Sequence, residues 1–262
     1  MPYELVNGLW VPQRKGETAI SIFLDESADE KQESVFVVAG FIGAEANWKN
    51  FASSWNAAMS EHGLAGVTFH MNLFAHGGKE PWKSLKQDAD RGKSLLNTLL
   101  RLIRMQAVYP FGAMTLLSEY NALEDKRQFD HPYKVCLEVA LSAAETLCEV
   151  APGGKIRFVC DENQEMRDWM MSAFEKLKAR RPELGKVFGV LETSTDDASA
   201  ELCAADLLAF ELRKHVDNAL RHPEVPIRYP MKRIMEDGPS QFWKTDFSAL
   251  LEPEYLWKPQ PR

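Results

Sequence analysis

The spacing of apolar residues changes along the chain, and each change of period predicts an element. From Ala19 to Asp25 the pattern alternates, with Ile20, Ile22 and Leu24 on one side and Ser21, Phe23 and Asp25 on the other. This predicts a short strand that ends on a carboxylate. A polar stretch from Glu26 to Ser34 follows. Val35 to Phe41 is then almost continuously apolar, the pattern of a strand buried on both faces, and it is expected to pair antiparallel with the first. Trp48, Phe51, Trp55 and Met59 recur at helical spacing, with Gly63 as the stop. Val67 to Phe74 fits either a short strand or a packed loop. Asp88 to Arg104 reads as a second helix carrying Leu95, Leu96, Leu99 and Ile103.

Tyr109 to Leu117 predicts a third strand, irregular or at an edge because of Pro110 and Gly112. His131 and Pro132 open a third helix with Asp130 as its N-cap, and Pro152, Gly153 and Gly154 end it. Lys155 to Asp161 alternates and again terminates in an aspartate; a helix with Trp169, Ala173 and Leu177 on one side follows. Lys186 to Glu192 predicts another strand. The turn Thr193 to Asp197 is expected to cap a helix from about Ala198 to Leu220, with Leu202, Ala205, Ala209, Leu212 and Val216 facing inward. Two paired strands followed by strands alternating with helices make an α/β fold. Its mixed sheet is flanked by helices, with a helical insertion after the second strand.

At 262 residues, 45% hydrophobic and 26% charged, the chain can bury one sizeable core. A single domain over residues 1–262 is expected, with its core at about 19–220, the insertion at about 47–105 and a tail, 221–262, wrapping the surface. No apolar run reaches the roughly 18 to 20 residues of a membrane span, and the first residues lack the basic and apolar regions of a leader. No membrane partner is therefore expected. Cys136, Cys148, Cys160 and Cys203 stand singly in apolar segments, which fits free thiols in a reducing, cytoplasmic setting. The net charge of -7 disfavours non-specific coating of nucleic acid but leaves room for a local cleft.

Three acids sit where packing alone would not put them. Asp25 and Asp161 close strands, and Asp206 lies on the shoulder of the last helix, four residues from both Leu202 and Phe210. A half-buried carboxylate costs several kcal/mol unless it is paired or binds a cation. If the two strands are parallel neighbours, Asp25 and Asp161 share one sheet edge, where open α/β sheets place ligands, and the helix can add Asp206. Three carboxylates suit Mg²⁺ or Mn²⁺ better than zinc, and a pair of such ions about 4 Å apart can promote phosphodiester cleavage. Each acid also has a plain structural reading. Asp25 can open a turn, Asp161 can cap a helix, and Asp206 can form a salt bridge, although neither Arg213 nor Lys214 is ideally spaced for it.

At these positions the chain resembles the bacterial family named domain of unknown function 3800, of the ribonuclease H-like superfamily. The match runs from Leu24-Asp25-Glu26-Ser27-Ala28 and Val35 to Gly43, through Phe69-His70-Met71-Asn72-Leu73-Phe74 and Phe158-Val159-Cys160-Asp161, to Cys203-Ala204-Ala205-Asp206-Leu207-Leu208-Ala209. Ala28 and Cys203 depart from it, replacing a glycine and a glutamine. The resemblance implies a ribonuclease H-like fold, metal-dependent cleavage or transfer of nucleic-acid phosphodiesters, and Asp25, Asp161 and Asp206 as the metal ligands. It also implies a further acid, for which Glu138 and Glu145 occupy a suitable helix; Glu26, Glu162 and Glu201 lie near the three aspartates.

His70 can serve as a general base or hold a phosphate, or be a hydrogen-bonded core residue. His76 lies in a Gly-rich loop that does not match a Walker motif. Lys176, Lys178, Arg180 and Arg181, and Arg228, Lys232 and Arg233, form basic clusters that fit solvated faces or phosphate contacts. Trp82, Trp243 and Trp257 can stack bases if exposed and otherwise pack the core or the tail. The sequence thus favours a divalent-metal-dependent nuclease or related phosphoryl-transfer enzyme, its substrate DNA, RNA or a small phosphate ester. The alternative is a catalytically silent ribonuclease H-like binding module, such as one used in bacterial defence against foreign DNA.

Overall fold

The computed structural model describes residues 3–6, 9–12, 20–28, 34–106, 108–123, 130–143, 155–162, 166–195, 199–236 and 241–244. An N-terminal hairpin, β1 (Tyr3–Val6) and β2 (Leu9–Pro12), is antiparallel and was not foreseen in the hydrophobic pattern. The main sheet follows in the order β7-β6-β3-β4-β5-β8. Its centre is the antiparallel pair β3 (Ile20–Ala28) and β4 (Val35–Ala44), registered from Ile20 against Ala44 to Ala28 against Phe36. β5 (Tyr109–Leu116) pairs antiparallel with β4; on the other side β6 (Ile156–Asp161) and β7 (Phe188–Ser194) add parallel. The α/β class and the mixed sheet flanked by helices are as expected.

Between β4 and β5 lie the inserted helices α1 (Glu45–Glu61), α2 (Met71–His76), α3 (Trp82–Gln87) and α4 (Ala89–Met105). After β5 come α5 (Leu117–Asn121) and α6 (Pro132–Ala143), then α7 (Arg167–Arg180) and α8 (Pro182–Val187) after β6, and α9 (Ala200–Arg221) and α10 (Tyr229–Met235) after β7. Alternation along the strands divides the core into two layers. Ile22, Leu24, Phe158 and Cys160 face α6 and α7, where Tyr133, Met170 and Phe174 meet them. Phe23, Val37, Ala39, Phe41 and Val159 face α1, α4, α9 and α10. Such two-sided burial requires the almost unbroken apolar run of β4.

Several local expectations change. β3 runs three residues past Asp25, because the β4 partner continues to Phe36. β5 is regular and internal, since the chain returns after α10 to lay β8 (Gln241–Lys244) parallel beside it. Within the segment expected to wrap the surface, α10 buries Pro230, Met231 and Ile234 and β8 joins the sheet, while residues 237–240 and 245–262 lie outside the described residues. The first half of Val67–Phe74 is loop and the second half is α2, which ends at Gly77 in a left-handed conformation (φ +67°) suited to glycine. Lys186 and Val187 belong to α8, so β7 starts at Phe188. Ser199, not the turn before it, caps α9, its Oγ accepting from Leu202 N at 3.2 Å. His131 Nδ1 takes Tyr133 N at 3.1 Å, and Asp130 pairs with Lys134 instead of capping α6. The expected stop at Pro152–Gly154 and the cysteine Cys148 lie outside the described residues; Cys136, Cys160 and Cys203 are buried free thiols. No helix among the described residues is long and apolar enough to cross a membrane.

Candidate functional site

β3 and β6 are parallel neighbours, and their last registered pair is Leu24 against Cys160. Asp25 and Asp161 are the next residue on each strand. Beyond this point β3 stays with β4 while the pairing to β6 ends, so the carboxylates stand where the sheet opens. By strand alternation both lie on the Phe23 and Val159 face, the one covered by α9. Asp25 is buried and Asp161 half-buried. Asp25 Oδ1 accepts from Glu26 N at 2.7 Å.

The field of this group reaches through the sheet. Burial, then the charges of Glu26, Asp25 and Asp161, push the Cys160 thiol well above its ordinary range. Burial, with the charges of Glu26, Asp25 and Asp161, likewise raises the Tyr133 hydroxyl, which donates to Met170 Sδ at 2.7 Å. Cys160 itself packs on the opposite face of the sheet from the two aspartates.

α9 brings Asp206 onto the same face because two small residues let it approach. A Cβ added to Gly40 would fall 1.7 Å from Phe23 O and 3.1 Å from Ala205 Cβ, so only glycine fits between β3 and the helix. Asp206 Oδ2 accepts from Met71 N at 2.6 Å, across 135 residues of chain. That N–H opens α2, so Asp206 acts on it as an N-cap from another element. His70 is half-buried at the preceding position and is thereby carried to Asp206. The loop is steadied beneath by rings, Phe69 meeting Trp55 at 5.7 Å and Trp82 at 5.6 Å. Trp82 is therefore a core residue and stacks no base.

The geometry brings Asp25, Asp161, Asp206 and His70 toward one end of the sheet. Among the described residues, however, no three His, Cys, Asp or Glu side chains stand close enough to share one ion. Glu138 is on α6, across the sheet from the aspartates, where burial outweighs the attraction of Arg180 and raises its carboxyl. Glu145 lies outside the described residues. Glu162 pairs with Arg167 at 3.6 Å and Glu201 accepts from Ser199 Oγ at 2.9 Å, while Glu26 stays beside Asp25.

Other groups stand near the site. Arg213 is buried and its Nε donates to Ser27 Oγ at 2.9 Å, two residues beyond Asp25. Asp206, Phe210 and Arg213 follow the helical i, i+4, i+7 pattern, a signal that was present in the sequence. Of the basic clusters, Lys178 pairs with Glu175, Arg181 with Glu183, Arg233 with Glu236, and Arg228 with the fully buried Glu211 at 2.8 Å. The side chain of Trp243 and all of Trp257 lie outside the described residues. Compared with known proteins, the chain matches no family model and no curated protein.

Proposed function

We propose that the chain is a divalent-metal-dependent nuclease or a related phosphoryl-transfer enzyme on a ribonuclease H-like sheet, with Asp25, Asp161 and Asp206 as the metal set. The observation that carries this reading is the pair of aspartates one step past Leu24 and Cys160, on the face that α9 covers with Asp206. The donor chemistry supports it: these are hard carboxylate oxygens, and the sulfur of Cys160 lies on the opposite face of the sheet. Loading must draw the three carboxylates closer than they stand.

Mg²⁺ or Mn²⁺ held there supplies the Lewis acidity for attack of water on a phosphodiester. The chain's own part is to orient and to move protons. Asp25 and Asp161 present oxygens from a rigid sheet, and Asp206 links that edge to the loop carrying His70. His70 is then placed to accept a proton from the attacking water or to hold a phosphate oxygen.

The test is calorimetric titration with Mn²⁺ and Mg²⁺, together with cleavage assays on DNA, RNA and nucleotides. The expected result is binding by the wild type, cleavage that needs the metal, and loss of both in Asp25→Asn. A second reading, a catalytically silent binding module, is favoured by one observation: the bond from Met71 N already gives Asp206 a structural task. Absence of any heat with either ion, with or without oligonucleotide, selects that module.

A further inference from the structure

α9 meets the sheet at two points that bracket the carboxylates. The first is close packing: Gly40, registered opposite Leu24, leaves the space against which Ala205 packs. The second is a bond: the buried guanidinium of Arg213 donates from Nε to Ser27 Oγ at 2.9 Å. From Ala205 to Arg213 the helix advances about 12 Å, and from Leu24 to Ser27 the strand advances about 10 Å. The two contacts are thus matched in spacing, and α9 follows β3 over this stretch. Asp25 lies between them on the strand and Asp206 between them on the helix.

The second contact falls where the sheet narrows. Up to Leu24, β3 is bonded to β4 on one side and to β6 on the other; from Asp25 to Ala28, β4 is its one strand neighbour among the described residues. A segment bonded along one edge is displaced more easily than one bonded along both. Arg213 supplies, from the helix layer, the support that β6 no longer gives. An arginine suits this task, because its planar group donates to Ser27 while Cζ stands 5.2 Å from the ring centroid of Phe210, one turn from Asp206. A lysine has a point charge and no such plane. We propose that Arg213 is a positioning residue: by clamping Ser27 to α9 it fixes Asp25 relative to Asp206, and so sets the spacing at which the two carboxylates receive a divalent cation. This inference rests on the metal-dependent reading of those acids. Charge alone would act in the opposite sense, since a guanidinium two residues from Asp25 repels Mn²⁺. A lost clamp weakens binding instead.

The test is calorimetric titration of the folded full chain with Mn²⁺, set beside amide hydrogen exchange of residues 25–28 in EDTA. Ser27→Ala keeps every charge and removes the acceptor. It is expected to weaken Mn²⁺ binding by about three- to tenfold and to speed the exchange by a similar factor. Ser27→Thr keeps a hydroxyl and is expected to restore both. Arg213→Lys keeps the charge and is expected to restore neither. A general loss of stability would lower the melting temperature of Ser27→Ala and leave its dissociation constant where it was; that result, or tighter binding, overturns the clamp. The metal reading fails separately, on the absence of Mn²⁺ heat with the wild type. Exchange in EDTA then decides the clamp alone, and wild-type rates in Ser27→Ala would refute it.

Discussion

Asp206 anchors α2 through Met71 N and is proposed to hold a metal ion as well, and the choice of substitution tells the two apart. An asparagine can still accept from Met71 N through its carbonyl oxygen, so Asp206→Asn keeps the α2 anchor and loses only the charge. It is expected to melt close to the wild type while metal-dependent cleavage is abolished. Asp206→Ala loses the acceptor too and is expected to cost about 1 to 2 kcal/mol in denaturant unfolding. Equal stability of the two variants would show that the bond to Met71 contributes nothing. At Gly40 a methyl group has no room between Phe23 O and Ala205, and Gly40→Ala is expected to cost about 3 kcal/mol or to prevent folding. A wild-type melting curve would contradict that packing.

Among the elements, α6 carries a titratable strain. Burial holds the Glu138 carboxyl above its ordinary value of 4.5, so the folded state binds the proton more tightly than the unfolded chain does. Its contribution is greatest below that ordinary value and is lost as pH rises through the raised one. Glu138→Gln is therefore expected to raise the midpoint of unfolding at pH 7 and to leave it nearly unchanged at pH 4; the same gain at both would exclude this cause. α9 and α10 are joined by a different device. Glu211 is fully buried and Arg228, whose side chain is 37% exposed, is its partner at 2.8 Å. Arg228→Ala is expected to cost about 2 to 3 kcal/mol in chemical denaturation. This is less than a fully buried pair loses, because water can reach one side. A change below half a kcal/mol would show that the pair is already screened.

For the whole molecule, an ion that binds only the folded chain must raise its stability by mass action. Mg²⁺ or Mn²⁺ at about 100 times the dissociation constant adds about 2.7 kcal/mol. Calorimetric scans are expected to show this shift in the wild type and not in Asp25→Asn. The acids that would hold the ion come from segments 136 and 45 residues apart in the chain, Asp25 to Asp161 and Asp161 to Asp206, and only the sheet and α9 bring them to one end.

Periodicity determined β3, β4, β6, α1, α4 and the inward side of α9, because burial on a regular element imprints its own spacing on the sequence. Aspartates closing alternating segments were legible for the same reason, since an acid breaks an apolar pattern visibly. The hairpin β1–β2, the return of β8 beside β5 and the division of Val67–Phe74 into loop and helix were not, because each depends on what the segment meets elsewhere in the chain. Nor could spacing show that Met71 donates to Asp206 or that Arg213 donates to Ser27. Local pattern specifies which face of an element turns inward. Distances between residues more than a hundred positions apart arise only when the layers pack.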